Sequence, residues 1–478
     1  MPQRRIRKNH GALYWIDKSI TYDKIPSEVY MKPELDLPKE FVDRMRNMLA
    51  DSDAFFESLK GAPVRGLRVN LLKADIGVIK ALPFRLIPSE TLEEGFVLLD
   101  DACGIGNHPL HIAGLFYMQE PSAMSTIAAA EVSPGDYVLD MCAAPGGKTT
   151  GIAARLGGKG LLIANEIVPS RAKLLCRNVE RMGITNCIVT SASPSEFEKC
   201  CLNAFDKVIV DAPCSGEGMF RKDPAAILEW SLEHVSACAK RQSNILDSAA
   251  ITLRPGGKLI YSTCTFSLEE NEEVLEAFIK RHSDFSLISS KRLYPHLMRG
   301  EGHFVAVLEK GGAATVKGAI QLDPTQGLKP VKSGAIAAFF AENISDTSGL
   351  LAFESKEGKV FLMPECFTSL KTPKGMDIRI PIFSRGVFAG ELIKGRFEPS
   401  HTLVMALGEK FKNRIFLKQD SKALTSFLHG DVLPCDKNGY TAVCVDSEYD
   451  NIFLPIGLGK ASGGQLKNKL PKGLRING

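Results

Sequence analysis

The sequence predicts an α/β protein: a mostly parallel sheet with helices on both faces, an α+β region before it and β-rich modules after it. Three observations predict this. Between residues 137 and 263, five short apolar runs alternate with helical patterns. Those runs are continuously apolar rather than alternating, as strands buried on both faces are. After about residue 350, short strands punctuated by turns replace that rhythm.

The elements follow in order. Residues Glu40 to Leu49 carry apolar side chains at helical spacing. Residues Arg65 to Leu71 alternate polar and apolar and read as a strand, whose Arg65 and Arg68 either face an anion or lie solvated on the surface. The five apolar strands are Val138–Met141, Gly160–Glu166, Cys187–Thr190, Lys207–Asp211 and Lys258–Thr263, with a helix expected from Arg171 to Met182. Residues 311–335, with Gly311, Gly312, Pro324 and Pro330, read as a linker. Leu351–Phe353, Lys359–Met363, Arg379–Ile382, Tyr440–Val445 and Ile452–Ile456 are the later strands. The chain is thus expected to divide into an N-terminal α+β region (1–112), a parallel-sheet domain (113–310), a linker with a small α+β module (311–395) and a last β-rich module (396–478).

Composition narrows the function classes. The 478 residues are 44% hydrophobic and 24% charged, a globular profile that excludes a disordered or collagen-like chain. The net charge of +4, from 59 basic and 55 acidic residues, does not announce a nucleic-acid binder. The basic start lacks a following apolar core, so no signal peptide is expected, and the longest apolar runs are too short to span a bilayer. A cytoplasmic protein with no membrane partner is the expectation. The twelve cysteines form no disulfide framework, and without CxxC or HExxH no metal site is expected.

The strongest local motif is DMCAAPGGKT, residues 140–149. Gly146 and Gly147 follow the first apolar strand and open a helix, placing permissive backbone and a helix N-terminus against a ligand. The pattern is neither GxxxxGK[ST] nor GxGxxG, which weighs against nucleotide triphosphates and dinucleotides. Glu166 ends the next strand, 18 residues after Lys148, about where an acid holds ribose hydroxyls. A glycine loop and a ribose acid without a phosphate pattern suit S-adenosylmethionine.

Two cysteines lie just past strand ends, Cys214 in DAPCSGEG (211–218) and Cys264 in YSTCT (261–265). The carboxyl edge of an open α/β sheet is where ligands bind, which weakens the default reading of a free cysteine as core filler. Carbon 5 of cytosine is a feeble nucleophile. A thiolate adding to carbon 6 makes the ring enamine-like and able to attack a sulfonium methyl group. A second thiol near carbon 5 would assist proton removal. Negative charge developing at nitrogen 3 calls for an acid, and Asp211, protonated or sharing a proton, is well placed for it, with Lys148 orienting it or the base.

Together these motifs resemble the Sun-type RNA cytosine-5 methyltransferases. RGLRVN (65–70), HPLHIAGLFYMQEPS (108–122), MFRKDP (219–224) and LKNKLPKGLR (466–475) are similar to the bacterial RsmF branch of that family. The resemblance implies a Rossmann-like class I methyltransferase core and a C-terminal PUA-like module. It implies that Cys264 is the nucleophile and Cys214 assists release. It carries cofactor contacts to Cys142, Ala143, Ala144, Pro145, Gly146, Gly147, Lys148, Glu166 and Asp211. Where the family often has an acid or amide near the adenine, this chain has Ser191-Ala-Ser-Pro194, and Ser193 is the nearest positional match.

A base attacked on its face must leave its stack, so single-stranded or flipped cytosine is required. Residues 458–478 carry Lys460, Lys467, Lys469, Lys472, Arg475 and no acid, and the first ten residues carry four basic side chains and no acid. Such local excess suits RNA phosphates. Phe220 and Arg221 are candidate substrate contacts, Phe220 equally a core anchor, and Trp230 reads as packing. The expected protein is a monomeric methyltransferase acting on cytosine in ribosomal RNA, in the small subunit. Transfer RNA is the alternative substrate. The alternative from another class is a non-catalytic RNA-binding ribosome-assembly factor, against which both cysteines speak.

Overall fold

The structure is a computed structural model and describes residues 35–99, 104–312, 318–347, 349–373, 380–449 and 452–476. The basic first ten residues and Arg379 lie outside the described residues. A four-stranded antiparallel sheet comes first, from β1 (Arg65–Val69), β2 (Leu86–Pro88), β3 (Gly95–Leu98) and β4 (Phe116–Met118), in the order β2-β3-β1-β4.

The central sheet has eight strands. Its middle is parallel, in the order β9-β8-β5-β6-β7, where β5 is Tyr137–Asp140, β6 Leu161–Asn165, β7 Cys187–Thr190, β8 Phe205–Asp211 and β9 Leu253–Thr263. β11 (His303–Lys310) pairs antiparallel with β9, and β10 (Phe285–Leu293) with β11. The eighth strand, Ile382–Arg385, pairs antiparallel with β7 and comes from beyond residue 310, so the later chain completes this sheet.

Alternate residues of the parallel strands supply two cores, because successive strand side chains point to opposite faces. Leu139, Ile163, Val208 and Leu259 pack with Leu246 and Ala249 of the helix Leu232–Thr252 and Phe278 of the helix Glu272–Arg281. Val138, Leu162, Ile209 and Ile260 pack with Ile152 of the helix Gly147–Leu156 and Leu175 of the helix Pro169–Arg181. Each such buried aliphatic side chain contributes about 1.5–3 kcal/mol. Burial on both faces is what made these strands read as continuous apolar runs.

Two five-stranded sheets complete the chain, one from residues 328–399 and a PUA-like one from residues 414–468. The second shares a core with the N-terminal sheet: Leu67, Phe116, Leu424, Val443 and Ile456 belong to one buried cluster. Among the described residues no helix is long and apolar enough to cross a membrane.

The predicted helix near residue 40 is Lys39–Met48. Its Phe41 is fully buried, with ring centroids 5.0 Å from Phe220 and 5.9 Å from Trp230, both edge-on. Phe220 is therefore a core anchor rather than a substrate contact. Arg221 is buried as well, paired with Glu301 at 2.8 Å. Phe41→Ala is expected to destabilise the fold by about 3–5 kcal/mol, the cost of losing a buried phenyl ring. Urea unfolding followed by tryptophan fluorescence measures it, and an unchanged midpoint would rule out this anchor.

Candidate active site

Parallel pairing sets Asp211 of β8 opposite Ser262 of β9, so the chain leaves both strands at one edge. Cys214 and Cys264 follow there, with Sγ atoms 3.1 Å apart and the Cys264 N–H donating to Cys214 Sγ at 3.3 Å. The contact with Cys264, added to burial, holds the Cys214 thiol well above its ordinary pKa. Cys214 is thus a neutral thiol in contact with Cys264.

Buried polar side chains fix the two cysteine loops. Glu270 accepts from Ser215 N at 3.0 Å and from Gln242 Nε2 at 2.8 Å. Glu217 accepts from Trp230 Nε1 at 3.0 Å and Phe266 N at 2.8 Å. The Ser215 and Thr265 hydroxyls lie 2.9 Å apart, and Gly218 N donates to Cys264 O at 2.8 Å. Burial raises the pKa of both Glu217 and Glu270, a cost their donors partly offset.

Beside Cys264, Lys148 Nζ donates to Asp211 Oδ2 at 2.6 Å and Ser262 Oγ to Asp211 Oδ1 at 2.8 Å. Burial pushes the Asp211 carboxyl up, but the Lys148 charge and the donated bonds outweigh it and hold its pKa below the ordinary value. Burial likewise pulls Lys148 down, and Asp211 more than compensates. In the free protein the proton therefore resides on Lys148, where the sequence suggested a protonated or proton-sharing Asp211. His303 Nε2 lies 3.8 Å from Asp211 Oδ1 and 3.1 Å from Thr126 Oγ1. Burial and the Lys148 charge lower its pKa to about 3, so His303 is neutral.

The predicted cofactor loop leads into the helix Gly147–Leu156. Gly146 caps it at φ +113°, a left-handed conformation that favours glycine, and a Cβ there would meet Leu175 at 3.0 Å. Gly147 faces Gln119 and Tyr117, which a Cβ would approach to 3.5 and 3.6 Å. A cavity of about 340 Å³ opens over this loop, lined by Ala143, Ala144, Pro145, Gly147, Lys148, Asp211 and Cys264 among others. Its size suits a small-molecule cofactor. Loop backbone bared by two glycines and free helix N–H groups beside this cavity fit S-adenosylmethionine, whose methyl sulfonium is the group it supplies.

The remaining predicted residues lie around this cavity rather than in its wall. Glu166, 3% exposed, accepts from Val168 N at 2.9 Å and pairs with Arg171 at 3.3 Å, while Arg171 Nη2 donates to Ala144 O at 2.9 Å. Cys142 is half-buried beneath the loop. Ser193 caps the helix Pro194–Cys200, its hydroxyl 2.9 Å from that of Ser195. Cys214 lies behind Cys264. The structure also brings in two residues whose roles the sequence does not show. Asn165 ties the strand ends together, donating to Met141 O and Ala192 O and accepting from Thr190 Oγ1 and Ala192 N. Arg68, in place of a surface arginine, is fully buried beneath the loop, donating to Gly147 O and Thr150 Oγ1.

A Rossmann-like sheet with a glycine loop after its first parallel strand, an acid after the second and paired thiols after the fourth and fifth defines a methyltransferase that uses S-adenosylmethionine. Comparison with known proteins agrees. Residues 127–309 match the family 16S rRNA methyltransferase RsmB/F. Residues 37–121, 339–407 and 416–476 match, in turn, the N-terminal, first C-terminal and PUA domains of RsmF. The ribosomal RNA small subunit methyltransferase F of Pectobacterium carotovorum is 33% identical over 92% of this chain and 96% of its own. That of Vibrio cholerae is 32% identical over 93% and 98%. A methyltransferase homologue from Pyrococcus horikoshii, 29% identical, superposes with a TM-score of 0.53 over 58% of this chain and 96% of its own. NSun6 from the same organism, solved with SFG, shares the fold at 23% identity and TM-score 0.52, over 59% of this chain and 100% of its own.

The chain belongs to the RsmF branch of the RsmB/F family of RNA methyltransferases, and S-adenosylmethionine is its cofactor.

Asp140, under the loop, accepts from Thr149 Oγ1 at 2.6 Å, and its Oδ1 has no partner. Burial raises its pKa from 3.8 to about 7. The fold favours the neutral carboxyl, so the stability it withholds grows as pH rises from about 4 to about 7 and is constant above that. Asp140→Asn is expected to stabilise the cofactor-free chain by up to roughly 4 kcal/mol at pH 8 and progressively less towards pH 5. Thermal melts at the two pH values check this, and equal gains at both would contradict it.

Proposed function

We propose that this protein methylates carbon 5 of cytosine in small-subunit ribosomal RNA, through a Cys264 adduct at carbon 6. The observation that carries the reading is the position of Cys264. It lines the cofactor cavity beside the Lys148–Asp211 pair, with a neutral thiol 3.1 Å behind it. Relatives named for the small-subunit RNA, and RsmF-type matches at both ends of the chain, support the substrate.

The residues divide the work as follows. Cys264 adds to carbon 6 as a thiolate, with the Cys214 S–H bond stabilising its charge. Lys148, held by Asp211, donates towards nitrogen 3 as negative charge develops there, and carbon 5 becomes the nucleophile. After methylation the carbon-5 proton passes to water, since the neutral Cys214 cannot accept it; the Cys214 S–H instead stabilises Cys264 as that leaves as a thiolate and the ring regains aromaticity.

In this reading residues 1–112 and 396–478 hold RNA for the catalytic segment 113–310, and the linker and small module of 311–395 lend Ile382–Arg385 to its sheet. Lys460, Lys467, Lys469 and Lys472 are exposed, as phosphate contacts must be. The protein acts as a monomer in the cytoplasm.

Cys264→Ala is expected to lower methyl transfer by at least about a thousandfold while leaving binding of S-adenosylhomocysteine nearly unchanged; calorimetry and transfer of a labelled methyl group measure the two, and normal turnover would exclude the covalent role. Cys214→Ala is expected to accumulate an RNA–protein adduct through Cys264, visible as a retarded band on denaturing electrophoresis. The absence of that band in an active preparation would remove Cys214 from the release step. Bisulfite sequencing of RNA from cells with and without the gene identifies the methylated cytosine.

A further inference from the structure

The FYMQEPS segment, residues 116–122, contributes Tyr117 and Gln119 to the cofactor cavity, and the reaction above uses neither. We propose that the Gln119 side-chain amide, with the first N–H groups of the helix Gly147–Leu156, binds the carboxylate at the amino-acid end of S-adenosylmethionine.

The argument begins at Arg68, which is fully buried. A guanidinium only donates hydrogen bonds. Arg68 Nε donates to Gln119 Oε1 at 3.1 Å, and its Nη2 donates to Gly147 O at 3.2 Å and Thr150 Oγ1 at 2.8 Å. The Gln119 oxygen is therefore fixed towards Arg68 and its NH₂ group turned the other way. That NH₂ lies against Gly147, 3.5 Å from where a Cβ would stand. Gln119 is 8% exposed, lines the cavity, and its NH₂ meets no acceptor among the described residues. Free donors facing the cavity are available to an acceptor that the cavity holds.

The same spot holds a second set of donors. The first intrahelical bond is Thr150 N to Gly146 O at 2.9 Å, so the N–H groups of Gly147 and Lys148 precede it and lack helical partners. They carry the partial positive charge of the helix N-terminus. Two converging donor groups suit an anion that can accept several bonds. S-adenosylmethionine has a single anionic group, its carboxylate, whereas a cytosine ring offers only neutral acceptors, its carbonyl oxygen and nitrogen 3. Arg68 then acts as a positioning residue: from a strand of the N-terminal sheet, it sets which end of the amide faces the cofactor.

The proposal rests on the cavity binding S-adenosylmethionine, and a pair of ligands separates the two claims. Calorimetry on the full chain would compare S-adenosylhomocysteine with 5′-methylthioadenosine, which keeps the adenosine and sulfur but lacks the amino-acid end. Gln119→Leu is expected to weaken S-adenosylhomocysteine about tenfold and leave methylthioadenosine unchanged. Gln119→Glu keeps a partner for Arg68, and so the fold, but sets a carboxylate against a carboxylate. It is expected to weaken S-adenosylhomocysteine further, again sparing methylthioadenosine. Equal weakening of both ligands would show a merely structural role and overturn the proposal, as would no change in either. A raised KM for RNA with intact S-adenosylhomocysteine affinity would reassign Gln119 to the substrate and overturn it too. Failure of the wild-type chain to bind S-adenosylhomocysteine would overturn the proposal together with the cofactor assignment.

Discussion

The parallel pairing of β8 with β9 is the constraint from which the site follows. Asp211 and Ser262 are opposite one another, and each strand delivers its cysteine loop to the same carboxyl edge. A shift of one residue would turn the side chains of one strand to the other face. It would part Cys214 from Cys264 and take the Ser262 hydroxyl from Asp211. The apolar layers on both faces of the sheet hold that register. Hydrophobic packing remote from the chemistry thus sets a sulfur–sulfur distance.

Burial then assigns protonation states. Lys148 and Asp211 are both screened from water and keep their charges only because they have each other. Cys214 is kept neutral by its bond to Cys264 and by burial. His303, although close to Asp211, is neutral and adds a dipole rather than a charge. Protons on Lys148 and on Cys214 thus flank Cys264, which lines the cavity.

Much of this was legible in the sequence, and the remainder has a physical explanation. The five parallel strands could be read because burial on both faces leaves apolar runs, and the cysteine pair because each follows such a strand. Arg68 was read as a surface or anion-facing arginine, since nothing local to a strand reveals that its guanidinium is satisfied by a loop some 80 residues away. Asn165 and Glu270 lie in no quoted motif, and Gln119 and Glu217 lie in motifs that give them no role: their roles are hydrogen bonds across the fold, and polar residues next to loops look solvated. Of the strand read at Arg379–Ile382, Ile382 alone falls in the observed strand Ile382–Arg385, because pairing with β7 sets where that strand lies. Phe220 became decidable only when its neighbours Phe41 and Trp230 were known.

The central claim is that Cys264, rather than Cys214, carries the base. The most direct test is peptide mass spectrometry after incubation with S-adenosylmethionine and substrate RNA bearing 5-fluorocytosine, whose fluorine cannot leave carbon 5 as a proton does. The account predicts a methylated 5-fluorocytosine adduct on the peptide containing Cys264. An adduct on Cys214, or methyl transfer that proceeds with no adduct, would contradict it.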